Sequence, residues 1–349
     1  SVVYHPRVQI KVSNNIVLTG TGKPPSPIQL LLIPAGDYGS KEVEFIFKNG
    51  SQAVSFQRTA VFRKNVPVSF NFSANEIYSG SSNATITPQA VIQWNNEKLS
   101  YSESVSQIQY GHIPEISYLK KEEINFITEE IKITDRNIGY IQGAGDRVGE
   151  ALSAMGFSVT YLSEADINLP ALQKFDAIVT GIRAYNTASW LLNYYSVLMQ
   201  YVQEGGNLIM QYNTSLPASQ IATAISPHPF VIGRNRVTEE SSPVKLLLPN
   251  HQVLNYPNKI SENDFKGWVQ ERGLYFAQNF GSEFSTPLGM ADKEEDILNG
   301  SLIIADYGKG KFVYTGIAFF RQTPAAVPGA YKLLANIVCL NLKPVEANE

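Results

Sequence analysis

The side chains best suited to chemistry lie in four short stretches, "GAGDRVG" (143–149), "GIRAYNT" (181–187), "NLIMQYNTS" (207–215) and "GWVQERGLYF" (267–276). In the first, a glycine turn leads into a helix start, whose free N–H groups can hold an anionic group. Gly143, Gly145 and Gly149 give GxGxxxG where a dinucleotide site needs GxGxxG, so a tight strand-to-helix turn capped by Asp146 is expected. In the second, Arg183 offers a planar fork of donors for a carboxylate or phosphate, Tyr185 a ring on which a sugar could stack, and Asn186 both donor and acceptor. A local ion pair for Arg183 and a helix cap for Asn186 fit the same residues, and both readings stand open. The last stretch gathers Trp268, Gln270, Glu271, Arg272 and Tyr275. Alternating aromatic and charged residues suit a carbohydrate or another polar small molecule, and also a buried Glu271–Arg272 network holding a long insertion.

"NLIMQYNTS" is an apolar strand that ends in Gln211, Tyr212 and Asn213, a position that carries the nucleophile in several α/β enzyme families. A tyrosine is a poor nucleophile at neutral pH because its pKa is near ~10. An exposed elbow that binds through hydrogen bonds is therefore expected. Arg183, Tyr185, Arg321 and Gln322 are expected at neighbouring strand ends, which makes a sugar the preferred ligand and leaves no catalytic residue. One alternative is a sugar-modifying enzyme in which Glu271 and Tyr212 form an acid/base pair, which requires a Glu271 that is neither exposed nor fully salt-bridged. Another is a purely structural spacer or dimerisation module.

The elements that position these residues fall into two halves. From Val8 to about Tyr110, short β-rich runs alternate apolar and polar residues, as at Val43, Phe45 and Phe47, and "KNGS" supplies an Asn-Gly hairpin turn. Some seven or eight strands without a helix predict an immunoglobulin-like β-sandwich over residues 1–112. Residues 113–135 mix a proline, charge pairs and isolated apolar residues, and read as a linker that feeds a strand. From 136 to 345 the period changes: "NIGYIQG", "FSVTYLS", "FDAIVTG" and "NLIMQY" are near-continuous apolar strands. Helices are expected at "DRVGEALSAM", closed by Gly156, at about 187–204 and at about 325–341, with a hairpin at "YGKGK". The expectation is a flavodoxin-like α/β domain with an antiparallel extension, with irregular insertions between 213 and 300 shaping a cleft.

Composition narrows the function classes. A chain of 349 residues is long for one core, since single cores stop growing near about 250–300 residues, and two domains are expected. With 28 Lys+Arg against 31 Asp+Glu, the net charge of −3 provides no basic field for nucleic acid. No apolar run approaches the ~20 residues that span a bilayer. The lone Cys339 cannot make an internal disulfide, and His5, His112, His228 and His251 match no zinc-ligand spacing, so neither metal nor cofactor is expected. The chain begins at Ser1 without a Met or a leader, so a processed or excised piece is expected; low Cys with abundant Tyr, Asn and Ser points to a periplasmic or secreted bacterial protein.

Longer stretches carry a family resemblance. "GYIQGAGDRVGEALSAMGFSVTYLS", "FDAIVTGIRAYNT", "YVQEGGNLIMQYNT", "DFKGWVQERGLYFA" and "YGKGKFVYTGIAFFRQTPAAVPGAYKLLANIV" together resemble the C-terminal region of the large bacterial PIG-L (LmbE-like) deacetylases, and "YGHIP" (110–114) resembles the end of their middle β-domain. The resemblance covers most of residues 110–341. It implies that catalysis belongs to a separate N-terminal domain with a His-Pro-Asp-Asp zinc motif, absent here, which would precede Ser1 in the same polypeptide. The α/β half is also similar to class I glutamine amidotransferase-like and trehalose-utilisation-protein-like domains. There a Cys ends the strand that here reads "LIMQY", and a His and a Glu follow in "GxxFHPE"; this chain has "GIAFFRQ" from Gly316 to Gln322. Tyr212, give or take one position, Phe320 and Gln322 stand where that Cys, His and Glu would be. Loss of any one triad member costs orders of magnitude in rate, so the resemblance implies an inert, recognising domain.

Overall fold

Alternation at Val43, Phe45 and Phe47 places those side chains on one buried face, none more than 2% exposed, while Glu44 and Lys48 lie outside the core. The computed structural model that resolves this pattern describes residues 6–108, 116–214 and 225–342. The expected boundary at residue 112, the "YGHIP" stretch and the far end of the expected second domain at 345 lie outside the described residues. The chain is mixed α/β and divides into two units, Ser1–Glu130 and Ile131–Glu349.

The first unit holds β1 (Val8–Val12), β2 (Ile16–Leu18), β3 (Ile28–Pro34), β4 (Gly39–Asn49), β5 (Gln52–Phe62), β6 (Val68–Phe72), the helical turn α1 (Ala74–Ile77), β7 (Ala84–Trp94), β8 (Glu97–Tyr101), β9 (Glu103–Ile108), β10 (Ile116–Lys121) and β11 (Ile124–Ile127). β1-β3-β6 form one sheet and β2-β11-β7-β4-β5 another, with β8 beside β7. Ile10 and Leu30 from the first meet Phe45, Ala90 and Phe126 from the second in a single apolar core. The Asn49-Gly50 turn joins β4 to β5 as expected, with Gly50 at φ 57°. The expected linker behaves differently: β10 pairs with β9, and β11 pairs with both β2 and β7 inside this unit. Its isolated apolar residues are the reason, because Ile124 and Phe126 alternate into the core at 0% and 1% exposure while the lysines of β10 stay outside.

The second unit contains β12 (Asn137–Ile141), α2 (Val148–Met155), β13 (Ser158–Leu162), α3 (Leu169–Leu172), β14 (Ala177–Thr180), α4 (Ala184–Thr187), α5 (Tyr195–Gln203) and β15 (Asn207–Gln211). After these come β16 (Val231–Ile232), β17 (Val244–Leu246), β18 (Ala277–Gln278), β19 (Phe284–Ser285), β20 (Leu288–Met290), β21 (Leu302–Tyr307), β22 (Gly310–Thr315), α6 (Phe319–Gln322) and α7 (Pro328–Val338). The seven-stranded sheet runs β13-β12-β14-β15-β22-β21-β19, parallel from β13 to β22 and antiparallel beyond. α2 buries Val148, Ala151, Leu152 and Met155 at helical spacing and stops at Gly156, whose φ of 100° an L side chain resists. The single long helix expected over 187–204 is instead α4, a 3₁₀ segment over Ser189–Tyr194, and α5. Among the described residues, no helix is long and apolar enough to cross a membrane.

Candidate functional site

β12, β14, β15 and β22 run parallel, so the loops that follow them leave at one edge of the sheet, where open α/β sheets place their ligands. The gap between the loops after β12 and β14 is closed by the chain itself. Ala144 N donates to Ile182 O at 2.8 Å, and a Cβ on Gly143 would lie 2.0 Å from that same oxygen. The glycines of "GAGDRVG" therefore serve a close loop-to-loop approach. Asp146, the expected N-cap, sits one residue ahead of the N-cap found, Arg147; its carboxylate accepts from Val148 N at 3.0 Å, from Ile182 N at 2.9 Å and from the Tyr140 hydroxyl.

The expected exposed elbow is buried. Gln211, Tyr212 and Asn213 are 1%, 5% and 0% exposed: the amides of Gln211 and Asn213 join neighbouring strand ends, and the Tyr212 ring packs in the core. Gln211 Nε2 donates to the Tyr140 hydroxyl and to Thr180 O, both at 3.3 Å. Asn213 Oδ1 accepts from Tyr185 N at 3.0 Å while its Nδ2 donates to Gln211 O at 3.2 Å. Tyr185 is consequently a core residue and offers no ring to a sugar; burial pushes its phenol pKa well up. Asn186 does not cap a helix but exchanges hydrogen bonds with the backbone of Thr214, at 3.0 and 3.3 Å.

Arg272 and Gln322 are also structural. Arg272, 4% exposed, donates to Ser242 O and Phe265 O and lies over the Trp268 ring, so its partner is not Glu271. Gln322, fully buried, accepts from Val269 N at 2.9 Å and donates to Val269 O at 2.9 Å and Glu271 O at 3.1 Å. An amide that both donates and accepts fits these three backbone groups, which an ionised glutamate could not.

The remaining candidates, Arg183, Tyr212, Glu271 and Arg321, do come together, joined by two aromatic residues. Tyr275 stacks on Tyr212 with ring centroids 5.4 Å apart and planes 13° apart, and Phe320 meets Tyr212 at 5.6 Å. Arg321 lies 4.8 Å over Phe320 and holds Glu271 Oε1 through Nε at 2.6 Å. Leu274 N donates to Gly316 O at 2.8 Å, laying the 272–275 segment beside the continuation of β22 and so placing Tyr275. Arg183 N donates to Tyr212 O at 2.7 Å, which fixes the arginine next to the ring pair. Arg183 and Tyr275 both hold left-handed backbone, at φ 56° and 54°, conformations that cost on the order of 1–3 kcal/mol for residues with a Cβ. Sequence alone puts Tyr275 in a charged, aromatic stretch and Phe320 just before Arg321; only the register of the segment beside β22 brings their rings to Tyr212.

The electrostatics of this cluster keep the Tyr212 phenol protonated. Burial pushes the Tyr212 phenol above its ordinary pKa, Glu271 and Tyr275 push the same way, and Arg183 and Arg321 pull against them. Tyr212 is therefore protonated at neutral pH and is no nucleophile. Glu271 keeps a side chain only 16% exposed, with Oε1 held by Arg321 Nε at 2.6 Å. Among the described residues, the Arg183 guanidinium and the hydroxyls of Tyr212 and Tyr275 have no hydrogen-bond partner. The lone thiol, Cys339, is buried beside Thr134 Oγ1 at the end of α7, and burial raises its pKa. No group of three or more His, Cys, Asp or Glu able to hold a metal ion occurs among the described residues.

No family model and no curated protein matches the chain. Among solved structures it is similar to the β-galactosidase of Rahnella sp. R3 (TM-score 0.34, 12% identity, 60% of this chain covered) and to Cwp6 of Clostridium difficile (TM-score 0.20, 8% identity, 57% covered). The chain spans 31% of the first and 39% of the second. Neither likeness reaches the level of a shared fold.

Proposed function

We propose that the second unit is a recognition domain that binds a carbohydrate or similar polar molecule at the cluster of Tyr212, Tyr275, Phe320, Arg183 and Arg321, and that the chain is a non-catalytic accessory region of a PIG-L-type deacetylase. The observation that carries the binding reading is the stacked Tyr212–Tyr275 pair, with free hydroxyls, beside the unpartnered guanidinium of Arg183. Aromatic faces bordered by convergent polar groups are what ligand pockets use to fix orientation. Strain at Arg183 and Tyr275, on either side of Tyr212, supports the same reading, since a fold tolerates such backbone where a particular side-chain direction is needed.

The order β13-β12-β14-β15-β22 places the second strand outside the first and then continues third, fourth and fifth, in support of a flavodoxin-like, amidotransferase-like domain. Two facing sheets around one core support an immunoglobulin-like sandwich for the first unit, in the role of spacer. A deacetylase domain in the same polypeptide would supply the chemistry, and an exported location would give access to glycans.

Calorimetric titration of a glycan panel tests the binding reading. Tyr212→Ala and Tyr275→Ala should each weaken the best ligand by about tenfold, equivalent to about 1.4 kcal/mol. Absence of binding across amino, neutral and acidic sugars would refute it.

A further inference from the structure

We infer that the molecule recognised at this cluster is a sugar acid, bound through a single carboxylate, and not a neutral or phosphorylated sugar. This rests on the binding reading above and sharpens it. Arg183 is exposed and, among the described residues, its guanidinium has no partner, although it adjoins Tyr212 through its own backbone hydrogen bond. A neutral ligand leaves that planar fork of donors unused; a carboxylate accepts it bidentately. The two tyrosine hydroxyls, without a hydrogen-bond partner among the described residues, add neutral donors.

Charge counting selects among anions. Arg183 and Arg321 bring two positive charges and Glu271 one negative, and all three act on the Tyr212 phenol, Arg183 most strongly. The balance of one positive charge matches a carboxylate, whereas a phosphate monoester carries about −1.5 to −2 at neutral pH. Glu271 thus works as a filter: paired with Arg321 at 2.6 Å and only 16% exposed, it cancels the second cation and leaves one site for one charge. The partly exposed Tyr275 ring, backed by the buried Tyr212, supplies the apolar surface for the face of the sugar.

The test is calorimetry on the full chain with matched neutral and uronic sugars of gluco, galacto and manno configuration, together with glucose 6-phosphate. The best uronic acid should bind at least about tenfold more tightly than its neutral partner, and more tightly than the phosphate ester. Arg183→Gln should abolish that difference by weakening the uronic acid at least about tenfold, with the unfolding midpoint in place. Arg183→Lys should restore only part of it, because the charge returns without the fork. Glu271→Gln should shift preference toward the phosphate ester. Equal binding of neutral and acidic partners would overturn this inference and leave the carbohydrate reading intact. A preference for the phosphate ester in the unmodified chain would overturn the inference as well. Failure of every sugar to bind would overturn both.

Discussion

Gln322 offers the sharpest quantitative test of how the cluster is held together. Its amide satisfies Val269 N, Val269 O and Glu271 O, so Gln322→Ala removes three hydrogen bonds and the side-chain volume that fills the space behind them. Val269 O keeps its bond from Glu271 N at 2.8 Å, so two groups are abandoned, at about 1–3 kcal/mol each. Val269 and Glu271 are only partly buried, so the loop can turn toward water and the lower end applies, giving about 3–4 kcal/mol in all with the lost volume. Gln322→Glu keeps the acceptor for Val269 N but sets a carboxylate against two carbonyl oxygens. That repulsion and burial raise its folded-state pKa above the unfolded carboxylate value of about 4.3. With the folded pKa raised, the glutamate variant is closest to the parent below that value and loses stability as pH rises through its folded pKa. Urea unfolding read from Trp268, next to Val269, with Trp94 and Trp190 replaced by Phe, measures both effects. The alanine variant should unfold about 1–2 M urea earlier for a slope of about 2–3 kcal/mol per M. A cost below about 1 kcal/mol, or a glutamate variant indifferent to pH, would refute the assignment of Gln322 as the brace of the Glu271 loop.

Two further outcomes follow from the geometry of single side chains. Arg183→Gly relieves a left-handed residue whose side chain has no partner, and should raise stability by up to about 1 kcal/mol in thermal unfolding while weakening ligand binding; marked destabilisation would mean that the guanidinium is held. His251 accepts a hydrogen bond from Val253 N through Nδ1 at 3.1 Å, and burial and Lys311 hold its pKa below the ordinary imidazole value of about 6.5. Because the folded pKa is depressed, its contribution is complete above about 6.5 and is lost as pH falls through the folded pKa; His251→Ala should flatten that slope in unfolding measured between pH 7 and 5.

What the sequence made legible was local. The Asn49-Gly50 and Gly308-Lys309 turns, the stop at Gly156 and the strand-to-helix alternation of the second unit depend on residues close together in the chain. What it hid was long-range pairing of polar groups. Gln211, Asn213, Asn186 and Gln322 look alike in sequence whether they face solvent or bind backbone 28 to 53 residues away, as they do. The connector was misleading for a related reason: charge pairs dominate its composition, while Ile124 and Phe126, spaced by two, decide its structure. The start of the expected long helix has the bulky residues Trp190 to Tyr194, whose rings pack edge to face at 5.9 Å in a 3₁₀ turn, so apolar spacing alone did not reveal where the α-helix begins.

The carboxylate of Asp146 has a consequence for inhibitor and substrate surveys. It occupies, from within the chain, the point where sheets of this strand order commonly receive a phosphate, and it already consumes the amides of Val148 and Ile182. The protein in effect carries a resident counter-anion at that position. Nucleotides, flavins and inorganic phosphate added to the medium should find that door shut, and screening effort belongs one strand gap farther along the sheet.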